Sequence, residues 1–198
     1  MKHDLFTPRN TALLLIDHQV GTMQLIKNLP LEQVKRATLA LAQMARVFGM
    51  PVILTSSQED RTQGPLLPEL RQLLPEAFEK RIKRAGIVDA WADEAFAGAV
   101  RATGRKQLIM AGVTTDVCLI YPAISAVNEG FRVQAVLDAS GSPFELSEDL
   151  ARQRMHDAGV VLTTSNTLIA ELVQTWATPE GQQLIGVLFG GLLPPILR

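Results

Sequence analysis

The sequence predicts a three-layer α/β/α doubly wound fold built on a six-stranded parallel sheet. Three observations predict it. Six short runs stand out along the 198 residues, and all but a more polar third are largely apolar rather than alternating, as strands buried on both faces must be. Between them lie amphipathic stretches, several closed by glycine, which read as crossover helices. Charged residues stand where several apolar runs end, at the carboxyl edge where such sheets place their ligand crevice.

Each element follows in order. "TALLLID" (11–17) is the first strand, and "LEQVKRATLALAQMARVFG" (31–49) a helix whose apolar positions include Val34, Leu41 and Met44. "MPVILTSS" (50–57) is the second strand, "LLPELRQLL" a short helix, and "FEKRIKR" (78–84) a more polar third strand. "WADEAFAGAVRATG" (91–104) is an amphipathic helix, followed by "KQLIMAGV" (106–113) as strand four. "DVCLIYPAISAVNEG" (116–130) is a helix with Thr115 as its N-cap, and "RVQAVLDAS" (132–140) is strand five. "SEDLARQRMHDAG" (147–159) is a helix capped by Ser147, "VVLTTS" (160–165) strand six, and "NTLIAELVQTW" the next helix. Right-handed crossovers join these into one domain over 1–198, with about 177–198 as a C-terminal helix and arm. Asp17, Arg84, Val113 and Asp138 stand at or just beyond strand ends.

Composition narrows the function. Acidic and basic residues number 20 and 19 and are interspersed, so no basic stripe invites nucleic acid or an acidic membrane. No run approaches a membrane span, and the polar start "MKHDLFTPRN" lacks a signal peptide's apolar stretch. The single cysteine cannot close an internal disulfide, which points to a reducing cytoplasm. His3, His18 and His156 lack metal-ligand spacing. Glycine-rich phosphate cradles and the G-x-S-x-G elbow are absent, which counts against dinucleotide, P-loop and serine-hydrolase chemistry.

Cys118 has two readings. Flanked by Val117 and Leu119, it can be a small buried hydrophobe. In the first turn of a helix capped by Thr115, it meets unpaired N–H groups and the positive end of the dipole, which predicts a depressed thiol pKa. Asp17, ending a neighbouring strand, offers a base, and Lys83 and Arg84 offer a cation. Only one of these two can face the site, because adjacent strand residues point to opposite sides. By the same alternation His18 points away from Asp17.

"LLLIDHQ" (13–19), "KRAGIVDAW" (83–91) and "GVTTDVC" (112–118), in this order, resemble the isochorismatase-like cysteine hydrolases. With Gly64 to Leu70 and Asp138 to Gly141, the likeness is to the YcaC-related branch. The resemblance implies the Rossmann-like isochorismatase-like hydrolase fold and a triad of Asp17 as base, Cys118 as nucleophile and Arg84 as cation, with Lys83 as rival. It implies a cis peptide at Val113–Thr114 and an oxyanion hole from the N–H groups of Thr114 and Cys118. Gln19, Trp91 and Thr115 are the expected pocket residues. The metal-binding histidines of nicotinamidases are missing from "SSQEDRTQGPL", so no metal and no cofactor are expected.

The expected function is cleavage of an amide-type C–N bond in a small molecule through a thioester. The alternative is a non-catalytic oligomeric binding protein that keeps the fold. A redox-sensing thiol would lack a second cysteine to resolve it. The resemblance also implies a homo-oligomer, a tetramer or octamer. The apolar tail, from Leu184 and Ile185 through Val187, Leu188 and Phe189 to Leu192, Leu193, Ile196 and Leu197, covers either a partner subunit or the chain's own core.

Overall fold

A computed structural model of the chain describes residues 5–194. Its strands are β1 (Thr11–Ile16), β2 (Val52–Ser57), β3 (Ile82–Arg84), β4 (Gln107–Gly112), β5 (Arg132–Val136) and β6 (Val161–Thr163). Its helices are α1 (Leu31–Val47), α2 (Pro68–Leu73), α3 (Pro75–Glu79), α4 (Glu94–Ala102), α5 (Ile120–Asn128), α6 (Glu145–Asp157), α7 (Ser165–Val173) and α8 (Pro179–Val187). All strand pairs are parallel, in the order β3-β2-β1-β4-β5-β6.

The central strands β1 and β4 are buried at every residue, which is why they read as unbroken apolar runs. Alternation along β1 divides the core in two. Leu13 and Leu15 pack with Leu41 and Met44 of α1 and with Leu168 and Leu172 of α7. Ala12, Leu14 and Ile16 pack on the other face with Phe96 of α4, Ala123 of α5 and Met155 of α6. The chain leaves β1 in one direction and returns to β4 on its other side. The carboxyl end of β1 therefore lies at the switch point where such sheets open a crevice.

Four local expectations are corrected. The strand expected over 78–84 is strand only at Ile82–Arg84, because Pro75 presets the first turn of α3 and carries the helix to Glu79. Strand five stops at Val136; Leu137–Ala139 form a 3₁₀ turn, and the Ser140 hydroxyl donates to the Val136 carbonyl at 2.8 Å. Helix α6 starts at Glu145, so Ser147 lies inside it and caps nothing. The Ser142 hydroxyl donates to buried Glu148 at 2.7 Å, which draws that residue into the first turn. The helix after β4 begins at Thr115 as a π-helical turn, with Thr114 at the flanking position instead of Thr115.

Helix α8 lies on α1, and Leu184 and Leu188 are buried in the first core. Val187, Leu192 and Leu193 pack partly against it, whereas Phe189 is exposed. Much of the apolar tail is thus covered by its own chain; Ile196 and Leu197 lie outside the described residues. Among the described residues no helix is long and apolar enough to cross a membrane.

Candidate active site

Three strand ends converge. Asp17 follows β1 with φ 59°, a left-handed conformation that aspartate tolerates better than most residues. Its N–H still donates to the Thr55 carbonyl at 3.0 Å, so the turn is anchored to β2. Arg84 closes β3 and reaches across β2. Its Nη2 donates to both carboxylate oxygens of Asp17, its Nε to Thr55 Oγ1 at 3.0 Å and its Nη1 to the Ile87 carbonyl at 2.5 Å. Both side chains of the ion pair are buried, at 1% and 2% exposure. Lys83 points to the opposite side, where it is exposed and bonds Glu59 at 3.1 Å. Strand alternation thus places Arg84 at Asp17 and leaves Lys83 with Glu59.

Beyond β4 the Val113–Thr114 peptide is cis. Gly112 lets the next turn fold back closely, since a Cβ there would lie 3.2 Å from the backbone of Leu119. Thr115 fixes the turn from the other side: its N–H donates to the Gly141 carbonyl at 2.8 Å, and the Gly141 N–H donates to Thr115 Oγ1 at 2.7 Å. Cys118 emerges half-buried from this turn. Its own N–H donates to the Thr114 carbonyl at 2.8 Å. With Thr114 as the flanking residue, Cys118 is the fourth helical position, and its N–H shares the Thr114 carbonyl with those of Val117 and Leu119. It is not the free oxyanion donor the sequence suggested. The Thr114 N–H bonds toward the cysteine sulfur and favours its charged form.

Asp17, Arg84, Thr114 and Cys118 line one cavity of about 690 Å³, within the ~300–1,000 Å³ typical of small-ligand pockets. A family profile described as the isochorismatase domain matches residues 11–167. The chain belongs to the isochorismatase family. Within it the likeness is to the YcaC branch. The chain is 41% identical to the "Probable hydrolase YcaC" of Escherichia coli K12 over 93% of this chain and 87% of that protein. A YcaC structure from Pseudomonas aeruginosa superposes with a TM-score of 0.91 at 41% identity, covering 97% of this chain and 94% of that one. The E. coli YcaC crystal structure, described as an octameric hydrolase of unknown specificity, gives 0.89 at 40% identity over 94% and 92%.

Electrostatics in this isochorismatase-family site run against one sequence expectation. The Cys118 thiol is pushed up, not down. Burial is the first cause, followed by the charge of Asp17 and hydrogen bonding with it; the Thr114 N–H and the charge of Arg84 oppose them. The expectation counted the helix end and omitted the carboxylate facing it. Burial also raises Asp17 above its ordinary value, against the charge and hydrogen bonds of Arg84.

Of the expected pocket residues, Gln19 alone lines the cavity. It braces the wall, donating to the Ser57 and Gly64 carbonyls and accepting from the Ser57 N–H. Trp91 is core instead: its ring meets Phe131 and Phe96 edge-on, and Nε1 donates to Glu129 at 2.8 Å. Thr115 is fully buried and spent on Gly141. His18 turns away from Asp17 and is fully buried, with Nε2 at 2.8 Å from the Ala139 carbonyl. Sequence reading missed the walls, which come from residues 21–25, 58–63 and 86–88. Their signal is position alone, in the loops that leave β1, β2 and β3.

Proposed function

We propose that this chain is a cysteine-dependent hydrolase that cleaves an amide-type C–N bond of a small molecule through a thioester. The observation that carries this reading is the meeting of carboxylate, guanidinium, thiol and cis-turn N–H in one cavity. Asp17 takes the thiol proton as the sulfur attacks the carbonyl carbon. The electron pair of the carbonyl moves to oxygen, where the Thr114 N–H is the principal donor and the committed Cys118 N–H a shared one. The intermediate collapses, and the amine leaves with the proton from Asp17. Asp17 then deprotonates a water that attacks the thioester, releasing the acid and restoring the thiol. Arg84 holds Asp17 in place throughout. No step in this scheme calls on a metal or organic cofactor.

A raised thiol pKa suits this scheme, because proton transfer then accompanies attack and no resting thiolate is required. The P. aeruginosa YcaC structure is described as holding covalent acrylamide, a small neutral amide of a kind that alkylates thiols. The E. coli YcaC octamer extends the reading to assembly: we propose that this chain too is a homo-oligomer. A screen of small amides for hydrolysis tests the chemistry. Cys118→Ser should lose on the order of 10³-fold or more of any activity found. Retention of that activity in Cys118→Ser would defeat the nucleophile assignment.

A further inference from the structure

The walls of the cavity say what the site accepts. Among the described residues, the only charged side chains lining it are Asp17 and Arg84. These two pair with each other, Asp17 also bonds the Cys118 thiol, and the remaining bonds of Arg84 go to Thr55 and Ile87. The guanidinium is 1% exposed, so it offers no cation to a carboxylate arriving in the cavity. The other polar groups are neutral. Gln24, Gln58 and Gln63 supply amides, two of them bonded to each other at 3.1 Å. Thr22 is 7% exposed, and its hydroxyl is buried without a hydrogen-bond partner. Leu25, Ile87 and Val88 complete the wall with large apolar side chains at 53%, 45% and 54% exposure.

From this inventory we infer that the site selects an uncharged substrate, a small carboxamide whose acyl group is aliphatic and carries no ionised group. The inference rests on the thiol-hydrolase reading and adds the substrate class. A second carboxylate in the substrate would be desolvated beside Asp17 with no free cation to pair it, and an unpaired buried charge is strongly disfavoured. An ammonium would find its natural partner, Asp17, already bonded to Arg84. The neutral amide and aliphatic walls impose no such cost on a neutral chain.

Alkylation of Cys118 tests this without requiring turnover. Iodoacetamide and iodoacetate are nearly the same size, and each forms a C–S bond as iodide leaves; they differ in one charge. The ratio of their rates on the full-length protein is compared with the ratio on a free small thiol at the same pH. Cys118 should favour iodoacetamide by at least roughly tenfold more than the free thiol does, as the burial of an unpaired carboxylate requires. Val88→Arg places a cation in the wall and should narrow that gap. An iodoacetate preference equal to that of the free thiol, or greater, overturns the inference. So does an unchanged gap in a Val88→Arg protein whose circular dichroism matches the parent. Because alkylation needs only the thiol, either result leaves the hydrolase reading to be judged separately by the Cys118→Ser screen.

Discussion

Arg84 and Lys83 carry the same charge one position apart, and their surroundings give them opposite roles. Arg84 is the buried partner of Asp17, whereas Lys83 bonds Glu59 at the surface. Arg84→Ala should abolish hydrolysis and also cost about 3–5 kcal/mol of stability, because it strands a buried carboxylate. Lys83→Ala should keep most activity and change stability by under ~1 kcal/mol. Rate assays paired with urea denaturation check both; an active Arg84→Ala protein would return the role to Lys83. The thiol makes a second prediction. Since burial and the negative charge of Asp17 raise the Cys118 pKa, iodoacetamide labelling should keep accelerating above the free-thiol value of about 8.5. Asp17→Asn removes the charge and should move the profile to lower pH. A parent rate that levels off below that value would contradict the raised pKa.

At the scale of elements, the site depends on how β1 and β4 end. His18 ties the end of β1 to the 3₁₀ turn after β5 through the Ala139 carbonyl, and burial lowers its pKa to about 4. It is therefore neutral at pH 7, with Nε2–H donating. The unfolded chain protonates its histidine near 6.5 while the folded protein resists until about 4. The stability contributed is full above pH 6.5 and declines as pH falls toward 4, by roughly 3 kcal/mol in all. Denaturation at pH 7 and at pH 4.5 should show that loss, and a His18→Asn protein should show less of it. Equal losses in both proteins would place the effect on other groups. The turn after β4 illustrates what propensity leaves open. Thr115 has the chemistry of an N-cap, but its hydroxyl is claimed by Gly141, twenty-six residues on, and the helix starts one residue early. That single shift commits the Cys118 N–H.

At the scale of the molecule, α6 offers a second surface, beside the tail, for the assembly proposed above. Leu184 and Leu188 are held in the first core by α1, so they are not free to bind a second copy. Phe144, Leu146 and Leu150, at and just before the start of α6, are 68%, 71% and 53% exposed. Leu146 and Leu150, four residues apart, share one face of α6, and an exposed apolar face is a candidate contact surface. In the homo-oligomer proposed above, Phe144→Ser with Leu146→Ser should therefore lower the sedimenting mass while circular dichroism stays unchanged. A full-length chain that sediments as a soluble monomer would refute the assembly, and an unchanged oligomer in the double variant would move the interface elsewhere.

The sequence alone determined the layers, the strand count and, up to the choice between Arg84 and Lys83, the candidate triad, because these depend on chain-local patterns. Burial on both faces writes unbroken apolar runs, and a residue that ends such a run stands at the crevice wherever the strand lies in the sheet. Asp17, Arg84 and Cys118 were legible for that reason, together with the motifs around them. Tertiary structure decided what depends on partners distant in the chain. It chose Arg84 over Lys83 by which residue of β3 points across β2 toward Asp17, and it raised the Cys118 thiol by setting Asp17 against the helix end. It also took Trp91 into the core beside Phe131, and built the neutral walls from three loops that share no motif. Side-chain direction, desolvation and charge pairing arise only when separate segments are brought together, so no local pattern could have encoded them.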